Sequence, residues 1–167
     1  VSEQTISGDY GVLDIGPDLT WIYTLDHVKA EKLSNAVVYN DILNFVTDDS
    51  SVHQISISIT GTDDAAVISG VLSGAATEGN IGDTVNISGS VSITDVDTID
   101  TPEFVAQTHS GIYGELVLNA DGDWNYLVDQ SLIQNLDAGV EVKDTITIVA
   151  DDFSQQKIII TLTGSDD

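Results

Sequence analysis

Hydrophobic and polar residues alternate in short runs along the second half of the chain, and many of the hydrophobic positions are Val or Ile. Alternation with a period of two places one face of a strand against a core and the other in water. The runs predict seven strands, at residues 66–70, 88–94, 104–109, 112–118, 123–129, 144–150 and 156–163. Seven short strands are typical of an immunoglobulin-like Greek-key β-sandwich, so we predict an all-β fold.

Two connections between these strands have recognisable local chemistry. Residues 119–123 read Asn-Ala-Asp-Gly-Asp, which predicts a hairpin turn with Gly122 at a positive φ angle. This hairpin accounts for the acids at 121 and 123 without a bound ion. Residues 131–139 carry Leu and Ile at a spacing that allows one or two helical turns, which Gly139 would end.

The chain contains an internal repeat. Residues 7–64 align with residues 110–167 at a constant offset of 103, without a gap. The two copies share the patterns Ser-Gly-x-Tyr-Gly-x-Leu, Trp-x-Tyr and Thr-Gly-x-Asp-Asp. A period of about 100 residues indicates tandem globular modules, because solenoid repeats are roughly 20 to 50 residues long.

The first copy is shorter than the second. Its alternating runs predict strands only near 10–15, 21–26, 41–47 and 54–60. We therefore predict that residues 1–62 are the incomplete C-terminal half of one module and that residues 63–167 are a complete one. Half a sandwich leaves an apolar face open, so we expect another copy or a cleaved piece to complete it. The chain begins at Val1 and lacks Met, so we also expect it to be cut from a longer protein.

Charge and composition exclude several functions. The chain has 28 acidic residues, four Lys and no Arg, for a net charge of -24, which disfavours nucleic acid and anionic membrane surfaces as partners. No apolar run approaches the roughly 18 residues of a membrane span. The absence of Cys excludes disulfides, zinc–thiolate sites and thiol nucleophiles. Isolated histidines at 27, 53 and 109, and the lack of a hydrolase or nucleotide motif, predict that the protein is not an enzyme.

The acidic residues are biased toward Asp, with 22 Asp against six Glu. Asp is a poor helix former but a good turn residue and a good ligand for hard cations such as Ca²⁺. Uncompensated charge of this size strains a compact fold unless cations neutralise part of it. Specific calcium sites would explain this acidic bias, and so would general adaptation to high salt.

The strongest candidate calcium motif is Asp95-x-Asp97-x-x-Asp100, which lies at a strand end and follows Glu78 in sequence. Closely spaced carboxylates on a turn can converge on one ion that requires roughly six to eight oxygens. The alternative is that they are solvated turn acids. The full set of predicted calcium ligands is Asp63, Asp64, Glu78, Asp95, Asp97, Asp100, Asp151 and Asp152.

Two aromatic pairs are the remaining candidates for binding. Trp21 with Tyr23 and Trp124 with Tyr126 each lie on one face of a predicted strand. Such pairs could stack against sugars, or they could pack in a core. Their recurrence in both copies favours packing.

Several motifs together resemble the VCBS repeat, a cadherin-like module found in tandem in large secreted bacterial proteins, especially calcium-dependent RTX adhesins. The motifs are Gly61-Thr-Asp-Asp-Ala-Ala-Val-Ile-Ser-Gly70, Thr77-Glu78, Gly89-x-Val-x-Ile-Thr-Asp-Val-Asp97, Gly111-x-Tyr-Gly-x-Leu116, Asp121-Gly-x-Trp-x-Tyr126 and Thr161-x-Thr-Gly164. The family has Asp-Gly after its penultimate long strand. This chain has Asp-Asp-Phe at 151–153 and Asp-Asp-Ser at 48–50, which puts the tight turn there in doubt but adds a carboxylate.

The resemblance implies cadherin-like sandwich modules in tandem, outside the cell, with calcium clamping neighbouring modules of the same chain at their junctions. Asp63 and Asp64 fall at the boundary between the two copies. The function it implies is that of a calcium-stabilised spacer, which holds a distal binding domain of a surface adhesin away from the cell. Two alternatives are an adhesive module that itself binds glycans or like modules, and an accessory domain of a secreted hydrolase.

Overall fold

The computed structural model describes residues 1–166, which form a nearly all-β protein with β-sandwich architecture. Its contacts divide it into two compact units. Unit 1 comprises Val1–Asp64 and Asp95–Asp100, and unit 2 comprises Ala65–Thr94 and the residues from Thr101 onward. The predicted modules 1–62 and 63–167 stay a prediction about the repeat, and Asp167 lies outside the described residues.

Unit 2 is a sandwich of two sheets. Its strands are β6 (Val67–Gly70), β7 (Ser73–Thr77), β8 (Asn86–Thr94), β9 (Gln107–Ser110), β10 (Gly114–Leu118), β11 (Asp123–Val128), β12 (Glu141–Val149) and β13 (Gln155–Thr163). One sheet has the order β6-β8-β11-β10-β9 and the other the order β12-β13-β7. Strand β7 runs parallel to β13, and the other pairs are antiparallel. Trp124, Tyr126 and Ile160 are buried in the core that the sheets enclose.

Unit 1 contains five strands. They are β1 (Gln4–Ser7), β2 (Gly11–Ile15), β3 (Trp21–Leu25), β4 (Val38–Val46) and β5 (Val52–Thr60). Strands β1 to β3 form one sheet and β4 pairs with β5. Every pairing repeats that of β9 to β13 at the offset of 103; for example, Val38 pairs with Thr60 as Glu141 pairs with Thr163. Among residues 1–166, unit 1 has no counterparts of β6, β7 and β8, so β3 and β5 each keep one unpaired edge.

Two strands lie where the hydrophobic pattern predicts none. Strand β1 has a single large apolar residue, Ile6. Strand β7 reads Ser-Gly-Ala-Ala-Thr and has none, because it passes close to the opposite sheet. A Cβ atom on Gly74 would overlap the side chain of Ile87. A residue without a side chain is therefore required at position 74, and the strand carries no period-two pattern of large side chains.

The turns confirm some expectations and settle one open question. Gly122 in the β10–β11 hairpin and Gly139 after the β11–β12 crossover have φ angles of 89° and 77°. The crossover contains a 3₁₀ helix at Gln130–Leu132, and the equivalent segment of unit 1 contains α1 at His27–Ala30. The tight turns after β4 and β12, which the missing Gly put in doubt, are present. Ser50 and Phe153 adopt φ angles of 65° and 70°, which Gly would normally supply, and the turns close.

Each unit has a buried aspartate whose hydrogen bonds hold the first hairpin against the opposite sheet. We call this arrangement the aspartate lock. In unit 2, Asp144 on β12 accepts hydrogen bonds from the Tyr126 hydroxyl at 2.6 Å and from the backbone N–H groups of Ile112 and Tyr113. In unit 1, Asp41 accepts from the Tyr23 hydroxyl at 2.7 Å and from the N–H groups of residues 9 and 10. These bonds explain why the shared Tyr, Gly and Asp positions recur together.

Candidate metal centre

Three of the predicted calcium ligands come together in unit 1. Asp63, Asp97 and Asp100 each offer one carboxylate oxygen, and these oxygens all lie within 4.8 Å of one another. Asp63 follows the end of β5, and the other two acids follow the end of β8 in sequence. Residues far apart in the chain thus form one cluster, which is the arrangement that a bound ion needs.

Asp97 is the buried member of the cluster. Its residue exposure is 2%. Oδ2 accepts a hydrogen bond from the backbone N–H of Asp64 at 3.1 Å, but Oδ1 is buried and has no hydrogen-bond partner among residues 1–166. Leaving a buried charged oxygen without a partner is costly, and native structures rarely do so. A cation bound between the three carboxylates would provide the missing interaction.

The loop that carries Asp97 and Asp100 is held by its own hydrogen bonds. The backbone N–H of Thr98 donates to the carbonyl of Lys32 at 3.2 Å, and that of Ile99 donates to the Ser34 hydroxyl at 3.4 Å. Within the loop, the N–H of Asp97 donates to a carboxylate oxygen of Asp95 at 2.8 Å. These contacts position the loop without using the free oxygen of Asp97.

The electrostatics of the cluster favour a cation. The pKa of Asp100 is raised, first by loss of solvation and then by the negative charges of Asp97, Asp95 and Asp63. Within residues 1–166, the one ion pair joins the amino group of Val1 to Asp48, so no Lys or His side chain neutralises these acids. The negative charge of the cluster can therefore attract a cation from solution.

The donor atoms indicate which ion fits. The cluster contains carboxylate oxygens and no His or Cys, which suits a hard cation such as Ca²⁺ or Mg²⁺ rather than Zn²⁺. Calcium takes roughly six to eight oxygens and tolerates irregular geometry, and it accepts bidentate carboxylates. Mg²⁺ requires near-octahedral geometry and keeps several of its waters. A site built from carboxylates on two loops therefore suits calcium better.

Glu78 lies elsewhere, in unit 2. Its two carboxylate oxygens accept hydrogen bonds from the Gln134 side chain at 3.0 Å and from the backbone N–H of Ser165 at 3.1 Å. Asp151 and Asp152 lie in the turn after β12, where they accept from the backbone N–H groups of Glu103 and Ser154. The structure does not bring these three acids into the cluster, and their assignment as calcium ligands stays a prediction.

Asp64 and Asp95 surround the cluster in supporting positions. Asp64 donates its N–H to Asp97, and Asp95 accepts the N–H of Asp97. The sequence interpretation missed the buried carboxylates Asp41 and Asp144. Their signal was present, because each interrupts the middle of a strand at the same position of the repeat, and Asp is depleted in strands.

Comparison with known proteins adds little to this description. No family model matches the chain, and no curated protein matches it. Among solved structures, one described as a Ca²⁺-stabilised adhesin that helps an Antarctic bacterium reach out and bind ice aligns with a TM-score of 0.32 and 10% identity. The alignment covers 99% of this chain but only 41% of that one. A score this low does not establish a common fold, so the VCBS resemblance stays a prediction from the motifs.

None of the helices formed by residues 1–166 has the length and apolarity needed to cross a membrane.

Proposed function

We propose that this chain is a calcium-binding β-sandwich repeat of a large extracellular bacterial adhesin, in which it acts as a spacer rather than an enzyme. The observation that carries the proposal is the buried carboxylate of Asp97, which lacks a partner for one oxygen and lies beside Asp63 and Asp100. The VCBS-like motifs of the sequence support the adhesin context.

Calcium would act mechanically. An ion held by Asp63, Asp97 and Asp100 would tie the chain at residue 63 to the loop at residues 97–100 and neutralise carboxylates that otherwise repel each other. An ion that binds only the folded form also stabilises that form. Extracellular modules commonly bind calcium with dissociation constants of about 10⁻⁴ to 10⁻³ M, so we expect an affinity in that range.

Isothermal titration with calcium tests the proposal, using the parent chain, Asp97→Asn and Asp18→Asn. Asp97→Asn keeps the size of the side chain but removes the buried charge. Asp18→Asn removes the same charge from the turn between β2 and β3, outside the cluster and outside the predicted ligands. We expect the parent and Asp18→Asn to bind calcium with equal stoichiometry, and Asp97→Asn to lose one site. Unchanged stoichiometry in Asp97→Asn would contradict the proposed site.

One observation favours a second candidate function. Trp21 is 48% exposed in unit 1 and could stack against a sugar, as an adhesive module requires. A glycan array probed with the parent chain and with Trp21→Ala tests it. Binding that Trp21→Ala abolishes would favour the adhesive function over the spacer.

A further inference from the structure

The connection between β3 and β4 contacts both chain segments that carry the acids of the cluster. We call its residues 32–37 the bridging segment; like the cluster, they lie in unit 1. Leu33 and Ser34 are 4% and 2% exposed, so these two residues anchor the segment in the interior. The segment contains no acidic residue and adds no carboxylate to the cluster. Its contacts therefore bear on where the carboxylates lie rather than on how many there are.

The bridging segment holds the end of β5, which leads to Asp63. The backbone N–H of Gly61 donates to the carbonyl of Val37 at 3.2 Å, and the N–H of Ala36 donates to the carbonyl of Gly61 at 3.3 Å. Gly61 passes so close that a Cβ atom there would lie 2.1 Å from the carbonyl oxygen of Leu33. A residue with a side chain does not fit at this distance. The contact thus limits where Asp63, two residues further on, can lie.

The bridging segment also holds the loop that carries Asp97 and Asp100. The Thr98 hydroxyl donates to the carbonyl of Lys32 at 2.5 Å, and the Thr98 N–H donates to the same oxygen at 3.2 Å. The N–H of the next residue donates to the Ser34 hydroxyl at 3.4 Å. These donors belong to the two residues that separate Asp97 from Asp100. The segment therefore holds the loop between its two candidate ligands.

We propose that the bridging segment is the scaffold of the calcium site, which holds Asp63 on one side and Asp97 and Asp100 on the other before an ion binds. This inference rests on the proposed function. Carboxylates whose oxygens lie within 4.8 Å of one another repel, and hydrogen bonds to the bridging segment oppose their separation. Ligands that are ordered in advance bind an ion more tightly, because less freedom is lost on binding. Thr98 and Ser34 are thus positioning residues.

Isothermal titration of the full chain with calcium tests the scaffold through Thr98, which is exposed and can be replaced without disturbing the core. Thr98→Val removes the hydroxyl bond to the Lys32 carbonyl and should raise the dissociation constant about three- to tenfold, with unchanged stoichiometry. Thr98→Ser keeps the hydroxyl and should bind calcium like the parent. The control Thr5→Val removes a similar hydroxyl bond, to Asp14, and should also bind like the parent.

Amide hydrogen exchange in chelator tests whether the loop is held before an ion binds. The N–H groups of Thr98 and Ile99 should be protected in the parent without calcium, and less protected in Thr98→Val. Protection that appears only after calcium is added would overturn the inference. Equal affinities of Thr98→Val and the parent would also overturn it, and the proposed function would stand if Asp97→Asn still lost its site. Calcium binding that is independent of Asp97 would contradict the proposed function and the scaffold with it.

Discussion

Units 1 and 2 pair the same five strands in the same register, yet their cores differ. Trp124 is 2% exposed and the corresponding Trp21 is 48% exposed. Ile160 is fully buried, whereas Ile57 keeps part of its surface in contact with solvent. The aspartate locks are nevertheless alike, with hydroxyl-to-carboxylate distances of 2.7 Å at Asp41 and 2.6 Å at Asp144. The hairpins, the turns and the hydrogen bonds of Asp41 and Asp144 therefore form from the five strands that both units share. A closed core also requires β6 to β8.

The largest expected difference between the units lies at the paired tryptophans. Trp124→Ala should lower the free energy of unfolding by about 3 to 5 kcal/mol, because it leaves a cavity in a closed core. Trp21→Ala should cost about 1 kcal/mol or less, because the side chain is already half in water. Urea unfolding followed by far-UV circular dichroism measures both values. Similar losses of stability for the two variants would mean that the apolar surface of unit 1 around Trp21 is covered in solution.

A smaller effect is expected at the aspartate lock, and it depends on pH. Burial raises the pKa of Asp41, but hydrogen bonds from the Tyr23 hydroxyl and from the N–H groups of Tyr10 and Asp9 outweigh this, so the pKa lies below its ordinary value. A folded-state pKa below the unfolded one contributes stability above the unfolded value, and that stability is lost as pH falls through the folded value.

Tyr23→Phe should therefore be less stable than the parent by about 1 to 2 kcal/mol at neutral pH. The difference should shrink as the pH falls below the ordinary aspartate range near 4, because Asp41 then becomes protonated in both proteins. Unfolding free energies measured across this range test the prediction. A difference that stays constant down to the lowest pH would show that the charge of Asp41 is not involved.

The smallest effect is expected at the two turns with positive φ angles. Phe153→Gly and Ser50→Gly should each stabilise the fold by about 0.5 to 1 kcal/mol, because Gly adopts these angles without strain although it also makes the unfolded chain more flexible. Since the turns are local, the gains should be similar in both units. Thermal unfolding of the two variants measures them. A gain confined to unit 2 would show that the turn depends on a closed core.

The sequence predicts the strands that carry large alternating side chains and misses the others. Strands β11 and β13 follow the hydrophobic pattern closely, since β11 buries every second side chain and β13 buries Ile158, Ile160 and Leu162 at alternate positions. The hydrophobic pattern does not predict β7, because the Gly at position 74 is required by contact with Ile87, which lies on another strand. A local pattern cannot report a steric limit that is imposed across the core. The tight turns at Ser50 and Phe153 form for a related reason, since the paired strands on either side dictate the chain reversal.

The grouping of Asp63, Asp97 and Asp100 could be foreseen only in part. The spacing of Asp97 and Asp100 on one loop is visible in the sequence, and so is the repeated position of Asp63. Which of the other acids join them depends on partners far away in the chain. Glu78 instead meets Gln134 and the backbone of Ser165, contacts that only the folded chain defines.

The central claim, that the Asp97 cluster binds calcium specifically, is tested most directly by melting temperatures in calcium, in chelator and in sodium chloride of matched ionic strength. At about ten times its dissociation constant, calcium should add about 1.4 kcal/mol and raise the melting temperature by several degrees. Asp97→Asn should lose this gain and Asp18→Asn, in the turn between β2 and β3, should keep it. Equal stabilisation of the parent by sodium and calcium would contradict the claim and reduce the role of the acids to general charge screening.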